Sequence, residues 1–314
     1  MAAYSIIIPC FNPPLDLFQN CMSVLLQASK TKDLQVIVLC TGADKQVEAY
    51  LKSLSAPCLQ VLYEEDHGVC HSRNKGLSLA KGRRVIFCDA DDAIDPALFD
   101  VLDAKDAGQD ILAYGFYKHI GKDIQSIVPA GCSDYEELLL QEGGGLLWNK
   151  AFLTSFLKEH ALYLDESLKL AEDLEYLCRM KQFDPSIGVI EQPLHHYFVH
   201  HTSVSQRYRQ DLMEEYAKSM QKICQNGMLS QKAEQTILAR HGIYGLIKQC
   251  FHPQSGSFEK QKQMARQLLE SDLYHDAFQN YKKLPLSFSQ KMVCFLGVHH
   301  AFRLLAFLIE RKRT

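Results

Sequence analysis

The chain has no apolar run of eighteen or more residues, about the length a helix needs to span a bilayer, so no segment reads as a transmembrane helix. It has no Cys-x-x-Cys pair among its 11 cysteines, which leaves a zinc knuckle or a thioredoxin-like site without support. It has little net charge: 34 Lys and Arg against 37 Asp and Glu leave −3, which gives no reason to expect a nucleic-acid partner. No basic and apolar leader opens it. The run Tyr4-Ser5-Ile6-Ile7-Ile8-Pro9 reads as a strand, so the expectation is a cytoplasmic protein whose reduced thiols pack as small apolar groups. No internal repeat or low-complexity tract is visible. What remains is ordinary for a soluble globular chain: 314 residues, 47% hydrophobic and 23% charged, enough for one large domain or two modest ones.

The first half alternates two patterns. Short runs rich in Val, Ile and Leu at 5–9, 35–40, 59–63 and 85–88 read as strands, and amphipathic stretches at 15–29, 45–54 and 69–81 as helices. That alternation predicts an α/β fold, a mixed and mostly parallel sheet with helices on its faces. Further on, 96–107, 149–160 and 172–181 read as helices, and 110–119, 187–190 and 195–199 as strands. From about Arg207 only helical patterns remain, at 210–223, 231–249, 258–281 and 291–313, which predicts a domain over 1–207 and a C-terminal helical region over 208–314.

The stretch with the most chemistry is Arg83-Arg84-Val85-Ile86-Phe87-Cys88 running into Asp89-Ala90-Asp91-Asp92. A buried strand that ends in acid delivers carboxylates to the rim of a sheet, where α/β folds bind ligands. Three carboxylates within four residues repel one another, and a hard divalent cation is the usual compensation. An acidic helix cap ahead of Pro96 is the plainer alternative, but it accounts for one carboxylate and not three.

Six short motifs, in order over about residues 4 to 207, resemble family 2 glycosyltransferases. They are Ile6-Ile7-Ile8-Pro9-Cys10-Phe11-Asn12; Gly68 to Gly76 with Ala80-Lys81-Gly82; Asp89-Ala90-Asp91-Asp92; Leu147-Trp148-Asn149-Lys150; Ala171-Glu172-Asp173-Leu174-Glu175; and His196-Tyr197 followed by Ser203-Val204-Ser205. The resemblance implies a GT-A (Rossmann-like) fold and an inverting, metal-dependent transfer of a sugar from a nucleotide diphosphate. Under it, Asp173 is the general base. Pro9, Phe11, Asn12, Thr41, Arg73, Asp89, Ala90 and Asp91 bind the donor, and Trp148, Asn149, Lys150 and Glu172 the acceptor. The implied cofactor is Mn2+ or Mg2+, held by Asp91 and Asp89, with His196 as a further candidate ligand. The implied partners are a nucleotide-sugar donor, most simply UDP-linked, and a glycan or lipid-linked glycan acceptor.

The residues themselves leave alternatives open. The Arg73 guanidinium suits a phosphate or a carboxylate of the acidic loop. Asn74 and Gly76 read as capping and close-packing residues. Glu172 and Asp173 could be first-turn acids favoured by the helix dipole, and a lone Trp is as often core as ligand. Among His195, His196, His200 and His201, one could point at a metal or diphosphate.

Two departures from the family pattern stand out. The second strand runs into Cys40-Thr41-Gly42-Ala43, where the family usually carries acids that read the nucleobase, leaving Thr41 and the nearby Asp44. Phe198 stands where its closing motif has arginine. These departures keep open a second function, a non-catalytic nucleotide-binding or scaffolding partner of an active transferase. A nucleotidyltransferase would want a Gly-rich phosphate loop, and Pro9 to Pro14 is not one. The segment 291–314 mixes an apolar face with Lys291, Arg303, Arg311, Lys312 and Arg313, against Glu310 alone, which suits peripheral contact with the inner face of an anionic membrane or docking on its own domain. A homo- or hetero-oligomer is left open.

Overall fold

The computed structural model describes residues 3–132, 134–199 and 208–311. Two compact units divide the chain, Met1–His201 and Thr202–Thr314. In the first unit the alternating patterns build β1 (Tyr4–Cys10), α1 (Leu15–Ala28), β2 (Leu34–Thr41), α2 (Lys45–Ser53), β3 (Leu59–Glu64), α3 (Val69–Leu79) and β4 (Arg84–Phe87). β1 pairs in parallel with β2 and β4, and β2 with β3. Helices on its faces bury β1 and β2 almost end to end, which is why both strands are nearly continuous in Ile, Val and Leu. The core there joins Ile6, Ile8, Val36 and Val38 to Phe18, Met22 and Leu25 of α1 and Val47 and Leu51 of α2. On the other face α3 lies so close to β1 that a Cβ at Gly76 would stand 2.4 Å from Ile7 Cγ2.

The rest of the unit is β5 (Ala93–Ile94), α4 (Leu98–Lys105), β6 (Ile111–Ile120), β7 (Asp123–Ile127), α5 (Tyr135–Leu139), β8 (Lys150–Leu153), α6 (Thr154–Glu159), α7 (Glu172–Met180) and β9 (Ile187–Val199). The sheet runs β3-β2-β1-β4-β8-β6-β9-β5, with β7 on β6. β8 is antiparallel to β4 and β6, β9 is parallel to β6, and β5 is antiparallel to β9. This is the α/β class expected, a mixed sheet built on a parallel half and flanked by helices.

Three elements differ from the sequence reading. The stretch 149–160 is not one helix: Lys150–Leu153 pairs into the sheet as β8 before α6 begins, because the slot between β4 and β6 outweighs its weak helical periodicity. The two strands at 187–190 and 195–199 are one strand, β9, whose register shifts where Gly115 faces Pro193. Proline has no N–H for the ladder and is tolerated at such an irregularity. A β6–β7 hairpin, turning at Gly121 with φ 59, was not foreseen.

The second unit is helical throughout its described residues: α8 (Leu212–Asn226), α9 (Gln231–Gly245), α10 (Phe258–Glu270), α11 (His275–Gln279), α12 (Phe288–Val298) and α13 (Phe302–Arg311), with shorter 3-10 and π turns between them. Ser230, Ser257 and Ser287 cap α9, α10 and α12 through their hydroxyls, and Gln290 completes a capping box with Ser287. The single helices read at 258–281 and 291–313 are each broken. The second break falls at His300, whose backbone is left-handed with φ 53. No helix among the described residues is long and apolar enough to cross a membrane.

Candidate active site

Most of the expected donor residues converge at one end of the parallel half-sheet. Pro9, Phe11 and Asn12 lie at the carboxyl end of β1, Thr41 ends β2, and Asp89, Ala90 and Asp91 follow β4. That rim is where open α/β sheets bind ligands. Loops from β1 and β2 meet there. The Phe11 ring, 62% exposed, lies over Gly42, where a Cβ would come within 2.9 Å of it and where φ is +77. Asn12 Oδ1 accepts from the Asp44 backbone N–H at 3.2 Å. Asp44 itself caps α2, one carboxylate oxygen accepting from Gln46 N and Val47 N at 2.9 Å each. Thr41 and Cys40 are buried.

At the centre of the site is Arg73, which α3 carries up from below. Its side chain is only 4% exposed, and its NH2 donates to Asp89 Oδ1 at 3.0 Å while NH1 donates to Glu172 Oε1 at 3.2 Å and Asp173 Oδ1 at 2.6 Å. One planar fork thus joins the acidic loop after β4 to the first turn of α7. Burial works against the Arg73 charge, and the carboxylates of Asp173, Asp89 and Glu172 overcome it, raising its pKa. Of the two partners open to Arg73 in the sequence, the structure shows the carboxylate.

α7 starts after Ala171, which is left-handed with φ 55, and places Glu172 and Asp173 in its first turn. Burial raises the Asp173 carboxyl to about 7, against the pull of Arg73 and with Glu172 and Asp89 adding to the rise. Its side chain still keeps 17% of its surface open to solvent. A half-buried carboxylate that titrates near neutrality is suited to general-base work.

Asn74 and Gly76 hold α3 in place. Asn74 Nδ2 donates to Leu164 O at 2.9 Å and its Oδ1 accepts from Leu164 N at 2.8 Å. Asp92 turns inward and orders β9: its Oδ1 accepts from Phe198 N and its Oδ2 meets His195 Nε2, both at 3.1 Å. Burial lowers His195 to about 3, so its ring is neutral and Nε2–H donates to Asp92.

Four expected site residues are placed otherwise than the sequence reading had them. Trp148 is buried, one face stacked on His195 at 4.5 Å and also against Tyr197 at 5.5 Å, with Phe116 edge-on at 4.8 Å, so its ring faces are engaged by the protein. Lys150 is wholly buried and its Nζ donates to Leu146 O at 2.7 Å, Asn149 Oδ1 at 2.9 Å and Gly143 O at 3.3 Å. Asn149 Nδ2 also donates to Gly143 O, at 3.2 Å. These three side chains build the sheet's interior and the turn before β8 rather than facing an acceptor. His196 meets His119 through Nδ1 at 3.0 Å and Asp95 through Nε2 at 3.4 Å. His200, His201 and Ser203-Val204-Ser205 lie outside the described residues. Phe198, standing where the family has arginine, stacks on His119 at 4.5 Å.

The sequence reading missed the tight turn at Gly143-Gly144-Gly145 that leads into β8. A Cβ at Gly144 would stand 2.2 Å from Leu138 O and one at Gly143 2.7 Å from the Phe116 ring, so only glycine lets this turn pack.

EpsH of Bacillus subtilis (strain 168), assigned as a glycosyltransferase, is 30% identical over 168 residues, 49% of this chain and 48% of its own length. The uncharacterized glycosyltransferase YibD of Escherichia coli (strain K12) is 26% identical over 228 residues, 66% of this chain and 64% of its own. The chain therefore spans between about half and two thirds of these two relatives. Among solved structures, S. aureus TarS 1-349 in complex with UDP-GlcNAc shares the fold with a TM-score of 0.66 at 18% identity, covering 99% of this chain and 91% of that one. Residues 5–154, with the strands β1, β2 and β4 and the acidic loop they support, match the glycosyl transferase family 2 domain.

Proposed function

We propose that the protein is an inverting glycosyltransferase that moves a hexose or N-acetylhexosamine from a UDP-linked donor to a hydroxyl of a glycan or lipid-linked glycan, as in surface polysaccharide synthesis. The observation that carries this is the Arg73 fork, which binds the first-turn Asp173 of α7 to the acidic loop at the carboxyl end of the parallel strands. A base and a charged donor site thereby stand on one guanidinium. Asp173 accepts the acceptor's hydroxyl proton as that oxygen attacks the anomeric carbon, and the loops carrying Phe11, Asn12 and Thr41 flank the nucleotide. Glu172 lies beside Asp173 for a sugar hydroxyl. The UDP assignment draws on the fold shared with TarS, which was solved with UDP-GlcNAc and with UDP.

The donor set fits a divalent cation. Three carboxylates on one guanidinium leave negative charge in excess, and Asp89, 34% exposed, and Asp91 offer hard oxygen atoms. No group of three His, Cys, Asp or Glu side chains placed to hold a metal ion is assembled among the described residues. Asp91 and Asp89 would hold Mg2+ or Mn2+, which supplies Lewis-acid stabilisation of the leaving diphosphate.

The test is a thermal-shift titration with UDP, GDP, dTDP and CDP, with and without Mn2+. UDP with Mn2+ is expected to raise Tm, and Asp91→Ala to abolish the rise. Absence of a shift with every nucleotide would leave the scaffolding function in its place.

The helical unit adds a membrane contact to this proposal. α12 exposes Phe288 (82%), Met292 and Phe295 at i, i+4 and i+7, and α13 exposes Leu304 and Phe307. Over 282–311 the charges are Lys282, Lys283, Lys291, Arg303 and Arg311 against Glu310, in a chain whose net charge is −3. Exposed aromatics with a basic surround fit anionic lipid, and the same excess of cations disfavours pairing with a second copy of the patch. Deleting 291–314 would also strip the buried faces of α12 and α13, including Cys294, Leu296, Leu305 and Ile309, so point substitutions are the better probe. The triple variant Phe288→Ser, Phe295→Ser, Phe307→Ser should keep its circular dichroism and bind phosphatidylserine vesicles about tenfold or more weaker. Equal binding by both proteins would remove the lipid from the proposal.

A further inference from the structure

We infer that His195 is a positioning residue for the acidic loop: its ring fixes Asp92, and Asp92 fixes the turn that presents Asp89 and Asp91 to the donor. The role rests on the proposed cation at those two carboxylates. The loop after β4 is a closed turn, in which Asp92 N donates to Asp89 O at 3.1 Å. Its first and last carboxylates are tied to different walls. Asp89 takes the Arg73 guanidinium of α3 at 3.0 Å, and Asp92 takes His195 Nε2–H and the Phe198 N–H of β9, both at 3.1 Å. Asp91 lies between them in the turn. Beyond Asp92 the chain enters β5, where Ile94 pairs with His195 itself and Asp95 N donates to Leu194 O at 3.0 Å. Backbone and side chain together bind the far end of the loop to β9.

Histidine is a costly filling for that place. The ring is wholly buried, and its Nδ1 has no hydrogen-bond partner among the described residues. Phenylalanine would avoid that loss and still stack on Trp148. What histidine adds is the Nε2–H, and Asp92, 1% exposed, is a carboxylate that needs donors once it has left water. The ring has little freedom to turn. Trp148 lies nearly flat against it at 4.5 Å and 19°. Trp148 is held in turn by Phe116, edge-on at 4.8 Å, and by the Tyr114 hydroxyl, which donates to its carbonyl at 2.9 Å. β6 and the turn into β8 thus back a single N–H bonded to the acidic loop. Loss of that N–H takes a donor from a buried carboxylate and lets the far end of the turn shift, together with the carboxylates the donor meets.

The experiment is calorimetry of UDP binding to the full chain, with and without Mn2+, for wild type, His195→Phe and His195→Gln. Phenylalanine keeps the stack and lacks the N–H, whereas glutamine lacks the stack and keeps an N–H for Asp92. His195→Phe should bind UDP with Mn2+ about tenfold or more weaker than wild type, and UDP alone within about twofold of it. His195→Gln should keep its affinity for UDP with Mn2+ within about threefold. An equal loss in the two variants, a loss that is the same with and without Mn2+, or wild-type affinity in His195→Phe overturns the inference. Should His195→Phe not fold, Asp92→Ala removes the same bond from its other end and is expected to show the same metal-dependent loss. Unchanged affinity for UDP with Mn2+ there is equally fatal. Wild type that binds UDP no more tightly with Mn2+ than without it would overturn the cation assignment itself, and with it the role of His195.

Discussion

Asp173→Asn is expected to cut kcat by about two to four orders of magnitude while leaving nucleotide-induced stabilisation intact, because the substitution keeps the shape of the side chain and removes its charge and its ability to take a proton. The wild-type rate should climb with pH through about 7, since the base works only when ionised and burial has raised its carboxyl to about 7. Stability should move the opposite way. A carboxyl whose folded pKa lies above its ordinary 3.8 binds its proton more tightly in the folded state. The folded state is therefore favoured by that group at low pH, and this contribution is lost as pH rises from about 4 through about 7. Asparagine has no such dependence. The Tm of Asp173→Asn should match wild type below about pH 4 and exceed it at pH 8. A variant less stable than wild type at pH 8 would mean that Asp173 is held chiefly as an ion-pair partner of Arg73 and not as a desolvated base.

How much of this was legible beforehand depends on where the information lies in the chain. The parallel half of the sheet was readable because its strands are buried on both faces and declare themselves as short Ile and Val runs between amphipathic helices. β8 was not, because Lys150-Ala151-Phe152-Leu153 has no period of its own and becomes a strand only when β4 and β6 offer edges on either side. β9 was cut in two by a proline that a single-strand pattern argues against, and only the Gly115–Pro193 register shift explains how the ladder absorbs it. The last two helices were read as one since hydrophobic period carries across 299–301, whereas a left-handed His300 is a backbone event with no side-chain signature.

The site divides in the same way. The acidic loop and the Glu172-Asp173 pair lie in short motifs at the ends of elements, where sequence spacing and position in space coincide. The roles of Trp148 and Lys150 do not follow from residue type. A tryptophan and a lysine next to asparagine suit a sugar as well as they suit a core, and only the neighbours decide: His195 and Tyr197 on the indole, three oxygen atoms on the ammonium. Arg73 was ambiguous for a related reason. Its partners are 16, 99 and 100 residues away in sequence, so the choice between phosphate and carboxylate had no local expression.

Arg73→Met should be the most damaging single change outside the base. It leaves Asp89, Glu172 and Asp173 together without their shared cation, and breaking a buried pair by removing one partner costs about 3–5 kcal/mol. A urea titration should show that loss as a lower midpoint with little change in slope. The effect on function should be distinct from the effect on stability. Arg73 is the foremost influence holding Asp173 down, so its removal should carry the rising limb of the pH profile to higher pH, above about 7. Arg73→Lys separates charge from geometry. A lysine restores one positive charge but not the fork that bonds Asp89 from one nitrogen and Glu172 and Asp173 from the other. It should therefore recover part of the stability and return the limb toward its wild-type position, while turnover stays low because the acidic loop and α7 are no longer held in one frame. A lysine variant with wild-type turnover would show that charge alone is what the site requires of residue 73, and that the two walls of the cleft keep their places without it.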